Sequence, residues 1–173
     1  MLRILSAGLF AAAVALVAGC DTNKPKPTEF RGGHDDHKHN EMTTQDMTLP
    51  EGKLVHAILE AHLDEKEGNE LDLVFENHDK EESYPIPMNA KITARVTRAG
   101  IDKEENLEFA PADKDERKGD PDGKCSRFSA EAKWMKPDDK LTVALSVEYD
   151  GKLKKATYVG FVPKDAAHKH DHK

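Results

Sequence analysis

The nine histidines of this 173-residue chain are distributed very unevenly. His34, His37 and His39 fall with Asp35 and Asp36 inside GGHDDHKHN (32–40), and His168, His170 and His172 alternate with Lys169 and Asp171 in HKHDHK (168–173). Residues two apart in an extended chain point the same way, so each stretch can turn two or three neutral imidazoles onto one ion. Imidazole nitrogen suits Cu²⁺, Ni²⁺ and Zn²⁺. The aspartates add oxygen donors, and Met42 and Met47, just downstream, offer soft sulfur to Cu⁺. A histidine-rich tract is a metal-binding candidate on composition alone. The competing reading is a pair of solvated tails whose histidines are incidental. Ligands on disordered segments lose entropy on ordering and discriminate weakly among metals, which suits capture and handover.

A third candidate set depends on strand register. From Lys53 the apolar residues recur every second position: Val55, Ala57, Leu59, Ala61 and Leu63, then Leu71, Leu73 and Phe75. That period predicts two half-buried strands, although the good helix formers of AILEAHLDEKE leave a helix over 53–66 as the alternative. Folding the strands about DEKEG sets Leu59 by Leu73 and Ala57 by Phe75. His56 then faces Glu76, with His78 as its diagonal neighbour, so that two imidazoles and a carboxylate gather on one face; the competing reading is a solvated polar face. His62 is too far along the strand from His56, roughly 20 Å, to share its ion.

Further strands are expected in YPIPMNAKITARVTR, with Ile92, Ala94 and Val96 on one side, in NLEFA and in CSRFSAEA. Asp150-Gly151 is the favoured pair for a type I′ turn and predicts a hairpin with Leu145 by Ala156 and Val143 by Tyr158. About seven short strands and no convincing long helix indicate an all-β domain over 51–163, a small antiparallel β-sandwich of immunoglobulin-like architecture. Trp134 is expected to plug one end of it. Residues 20–50, rich in Pro, Gly, Thr and charge, are expected to form a disordered tether, and 164–173 a histidine-rich tail.

Composition excludes several classes. Charged residues make up 34% of the chain and the net charge is −7, which repels nucleic acid and favours cations. No nucleophile elbow or phosphate-binding glycine loop is present. The glycines of DKDERKGDPDGK (113–124) are misplaced for a calcium loop. Cys125 has no basic partner nearby in sequence, so it is expected to be structural rather than a nucleophile. No enzymatic activity is expected.

The opening MLRILSAGLFAAAVALVAGC has one basic residue, an apolar run of about fifteen residues and a small-residue site, the pattern of a secretory signal over 1–19. Val17-Ala18-Gly19-Cys20 resembles the lipobox of bacterial lipoproteins. The resemblance implies cleavage before Cys20, its lipidation, and anchorage to the bacterial envelope facing the periplasm, with Asp21 leaning toward the inner membrane and the outer membrane left open. Two or three acyl chains would make that anchor stable. The segments KLVHAILEAHLDE, YPIPMNAKITARVTR and GDPDGKCSRFSAE also resemble small uncharacterised bacterial lipoproteins with histidine-rich leaders found beside heavy-metal efflux systems. Matching positions include His56, Pro87, Asp122, Gly123, Ser126 and Phe128. That family carries Gly-Gly-His directly before its first strand, whereas Gly32-Gly33-His34 lies about twenty residues earlier. The resemblance implies metal binding and efflux or other envelope proteins as partners. The alternative is a structural or protein-interaction lipoprotein. Replacing Cys20 by Ser should release a soluble periplasmic form or leave the precursor uncleaved, read by fractionation. A mature, membrane-bound variant would remove the lipid anchor.

Overall fold

The computed structural model describes residues 42–64, 68–80, 82–117 and 119–167. The strands are β1 (Thr44–Thr48), β2 (Leu54–His62), β3 (Glu70–Asn77), β4 (Ile86–Pro87), β5 (Lys91–Arg98), β6 (Ile101–Pro111), β7 (Lys124–Cys125), β8 (Arg127–Glu131), β9 (Leu141–Tyr149) and β10 (Lys152–Phe161), followed by a 3₁₀ turn at Pro163–Asp165. There is no α-helix among the described residues, and none long and apolar enough to cross a membrane. The helical alternative over 53–66 gives way to strand because strict alternation buries Val55, Ala57, Leu59 and Ala61 together.

Eight strands follow one another in the order β1-β2-β3-β8-β6-β5-β9-β10, and β4 and β7 pair separately. Every strand-to-strand ladder is antiparallel. The long strand β6 changes partner along its length, pairing with β5 through Phe109 and with β8 at Ala110 and Pro111. The sheet thereby folds back on itself, and its first and last strands, β1 and β10, come alongside one another.

The expected registers are present: Ala57 faces Phe75, Leu59 faces Leu73, Leu145 faces Ala156 and Val143 faces Tyr158. Asp150 and Gly151 both have positive φ, 50° and 68°, as a type I′ turn requires. A bulge between Val159 and Phe161 takes up Gly160 at φ 76°. The extra residue shifts the alternation by one, so that Tyr158 and Phe161 both point inward. Inside, Phe75 and Phe128 meet edge to face at 6.1 Å. Trp134 is half-buried against the core, with the Arg98 guanidinium carbon 5.2 Å from its ring centre.

One expectation is corrected. The tether cannot run unstructured to residue 50, because Thr44–Thr48 forms β1 and pairs with β2 from Leu54 to Ile58. An edge strand needs few apolar residues, and Met47 and Leu49 suffice here to bury one face. The same alternation withdraws Met47, at 3% exposure, from the possible sulfur ligands.

The hydroxyl of Tyr158, fully buried on β10, donates to Ala57 O on β2 at 2.9 Å and ties opposite parts of the folded sheet together. Tyr158→Phe should lower unfolding free energy by about 1–2 kcal/mol, since a buried carbonyl loses a donor. Urea denaturation with an unchanged m-value would show this, and an unchanged midpoint would mean that the bond adds nothing to stability.

Candidate metal centre

His56 lies on the face of β2 opposite the core residues, yet it is only 5% exposed. Neighbours on both sides cover it. Asp46 is its cross-strand partner on β1, and the His56 Nδ1 to Asp46 Oδ1 distance is 2.8 Å. From the β3 side, the His78 ring lies over the His56 ring with centroids 4.6 Å apart and a 31° tilt. His78 Nε2 stands 3.8 Å from Asp46 Oδ2. One donor atom from each of the three residues lies within 4.8 Å of the others.

Local structure places each member. Asp46 and His56 are set by the β1–β2 register, in which Gln45 faces Ala57 and Met47 faces Val55. His78 begins the turn after β3. That turn is closed by Asn77 N–H donating to Glu82 O at 2.7 Å and Asp79 N–H donating to the Asn77 side chain at 2.9 Å. His78 Nδ1 is 3.4 Å from Asp79 Oδ1. The tautomer with its proton on Nδ1, directed at Asp79, would present the His78 Nε2 lone pair to the Asp46 side, the usual arrangement behind a ligating imidazole.

The three residues form a group that could hold a small divalent ion. Two donors on a tetrahedral ion at 2.0–2.1 Å are separated by roughly 3.3 Å. His56 Nδ1 is 2.8 Å from Asp46 Oδ1 and His78 Nε2 is 3.8 Å from Oδ2, and the three donor atoms all lie within 4.8 Å of one another, so a bound ion would draw the set together by side-chain rotation. In the metal-free state the short one is a hydrogen bond, so an ion must displace the His56 Nδ1 proton. Two imidazoles and a carboxylate leave a fourth position for water or an incoming ligand. The Asp46 side chain is 58% exposed and that of His78 32%, so the site is open to solvent while His56 forms its floor.

Of the residues expected to bind metal, His56 and His78 come together as the register required. Glu76 does face His56 across the ladder, but the carboxylate that converges is Asp46, which lies within the stretch expected to be tether. The only signal that could have found Asp46 was the alternation of Met47 and Leu49. Met42, at the start of the described residues, is exposed, and Met47 is in the core. His34, Asp35, Asp36, His37, His39, His168, His170 and His172, together with Cys20, lie outside the described residues.

Other polar groups are engaged elsewhere. Glu60 and Asp72, farther along the same outer face, both accept from Arg127 Nη2, at 2.6 and 3.2 Å. In the 113–124 loop, the Asp120 carboxylate accepts from Ser126 N–H at 2.7 Å and from its hydroxyl at 3.0 Å. Cys125 is buried, donates to Arg127 O at 2.6 Å, and is pushed up by that burial, as a structural thiol would be. Comparison with known proteins finds no matching family model, curated protein or solved structure.

A second polar cluster closes the loop between β1 and β2. Glu51 accepts from the hydroxyls of Tyr149 at 2.5 Å and Tyr84 at 3.0 Å. Burial raises the Glu51 carboxyl, but the Tyr149 and Tyr84 hydroxyls more than offset it and hold the group below the usual carboxylate range. No imidazole or thiol joins it among the described contacts, so it reads as a clamp. A carboxyl held low in the fold stabilises the protein above its unfolded value, near 4.5, and that contribution fades as pH falls through the folded value. Glu51→Gln should therefore reduce stability at neutral pH and flatten the acid limb of the stability curve. An acid limb superimposable on that of the wild type would show that the ionised carboxylate does not act as a clamp.

Proposed function

We propose that this protein is an envelope-anchored lipoprotein that binds transition-metal ions, Cu, Ni or Zn, and buffers them or hands them to an export system. The observation that supports its metal-binding part is the grouping of Asp46, His56 and His78, whose donor atoms all lie within 4.8 Å of one another on an open-sided surface. Nitrogen and carboxylate donors favour Cu²⁺, Ni²⁺ or Zn²⁺, and the burial of Met47 argues against a thioether site for Cu⁺. A site of three donors with one face in solvent gives an ion a way out as well as a way in, as a cargo site needs.

The clusters at His34, His37 and His39 and at His168, His170 and His172 act in this reading as capture arms, with Asp35, Asp36 and Met42 as accessory donors. Cys20 is the lipidated residue, tethering the domain to the periplasmic face of the inner or outer membrane. The domain is read as an immunoglobulin-like sandwich whose two layers share β6, a view supported by the change of partner at Ala110. The role in this reading is binding and not catalysis, and the acidic net charge of −7 suits cations as ligands and disfavours nucleic acid. The rival reading, a structural or protein-interaction lipoprotein, draws support from Leu153 and Val159, exposed apolar residues on β10.

Calorimetric titration of the full chain in detergent micelles with Cu²⁺, Ni²⁺ or Zn²⁺ tests the proposal. The wild type should bind more than one ion, and Asp46→Ala and His78→Ala should each remove one equivalent while the fold persists by circular dichroism. At free metal one hundred times the dissociation constant, that site should add about 2.7 kcal/mol to stability. Unchanged stoichiometry in both variants would remove the strand site from the account, and absence of binding to the wild type would favour the interaction reading.

A further inference from the structure

The strands β6, β5, β9 and β10 lie side by side and turn Ala94, Val96, Val143 and Leu145 into the core. Alternation sends the intervening residues to the outer face, in rows that the ladders fix. One row runs Glu108, Thr93, Ser146, Lys155 across the four strands, and the next sets Arg95 beside Ala144. At the two ends of the face, Glu104 and Val159 share a row through Thr97 and Thr142, and Lys91 pairs with Glu148. In a chain that is 34% charged, the middle of this face is threonine, alanine and serine. Those short side chains leave a hollow of about 600 Å³, lined by Thr93, Arg95, Ala144, Ser146 and Thr157 among others. Two apolar residues of β10 on the same face, Leu153 and Val159, are 51% and 68% exposed.

The charges on this face are ordered by strand. β6 carries Glu104 and Glu108, β5 carries Lys91 and Arg95, β9 carries Glu148 and β10 carries Lys155, all of them exposed except Glu104 in part, whose side chain is 45% exposed. A second copy can pack on such a face through a two-fold axis, with the strands of the two sheets nearly aligned. If the axis runs along the strands, between β5 and β9, β6 of one copy covers β10 of the other and β5 covers β9. Glu108 then meets Lys155 of the second copy, and Lys91 meets Glu148 of the second copy. Arg95 stands over Ala144 of the second copy, which is too small to obstruct it. Symmetry makes each contact twice. An axis running across the strands would instead set every strand on its own copy and bring Glu104 against Glu108, so charge selects the first arrangement.

We propose that this protein forms a reversible two-fold dimer through the outer face of β5, β6, β9 and β10. Strands about 4.8 Å apart and rows about 6.7 Å apart give a face of about 500 Å², or about 1,000 Å² for the pair, the lower end of specific interfaces. Exposed ion pairs fix register and partner more than they add affinity, so the association is weak and selective. Asp46, His56 and His78 belong to β1, β2 and the turn after β3 and take no part in it. The inference is therefore independent of the metal-binding reading.

Sedimentation equilibrium of the full chain, in detergent micelles matched in density to the solvent, tests the dimer. The wild type should show a monomer–dimer equilibrium at or below about 1 mM. Glu108→Lys and Lys155→Glu should each weaken self-association at least about tenfold, because each sets like charges opposite one another at two places. Mixing the two variants puts opposite charges back across the interface at both places. An equimolar mixture should therefore associate to within about threefold of the wild type, a recovery that damage to either fold could not produce. A wild type that stays monomeric up to about 1 mM overturns the proposal, as does a dimer that neither substitution weakens. Weakening by both variants with no recovery in the mixture would mean that Glu108 and Lys155 do not face each other, and that also overturns it.

Discussion

Strand β2 is held from both sides by antiparallel ladders, β1 along one edge and β3 along the other, and side chains on a strand alternate strictly between faces. The register that sends Val55, Ala57, Leu59 and Ala61 into the core therefore sends His56 to the opposite face. A slip of one residue would bring His56 inward and push the apolar set into water, so core burial enforces the imidazole's position. The two ladders also decide what flanks it: Asp46 opposite on β1, and His78 diagonally beyond Glu76 on the β3 side. No residue of the cluster needs a special backbone conformation, since cross-strand geometry alone supplies separations of a few ångströms.

The outer face of β2 shows how similar residue types reach different ends. Around Glu60 and Asp72 the two acidic side chains share the single guanidinium of Arg127. Around His56 lie the Asp46 carboxylate and the His78 imidazole, with Glu76 opposite on β3, side chains that offer lone pairs to a cation. The first arrangement joins β2, β3 and β8 mechanically. The second has the donor chemistry of a cation site, and its exposure on the Asp46 side is what an exchangeable ion requires.

The parts of the fold legible in the sequence were those with strong local signals. The β2–β3 and β9–β10 hairpins could be registered residue by residue, because each combines long period-two alternation with a short turn. Other features have no such signal. β1 is Thr-Gln-Asp-Met-Thr, an edge strand in which one methionine and the following leucine supply the apolar face. The first half of β6, Ile-Asp-Lys-Glu-Glu, is largely exposed and owes its strand character to the β5 ladder. The pairings of β3 with β8 and of β5 with β9 join residues far apart in sequence, and neither pairing leaves a local trace. Missing β1 is also why Asp46 was missed, whereas His56 and His78 could be placed because they belong to a hairpin whose register was readable.

The central claim is that the Asp46, His56 and His78 cluster is a metal ligand set and not merely a hydrogen-bonded surface group. Long-range ¹H–¹⁵N spectra of the imidazole rings in the full chain, recorded with and without one equivalent of Zn²⁺, address it atom by atom. The account predicts that His56 Nδ1 loses its proton signature, and that His56 Nδ1 and His78 Nε2 move together to metal-bound nitrogen shifts. Unchanged His56 and His78 rings, with shifts confined to histidines of the two ends, would contradict it.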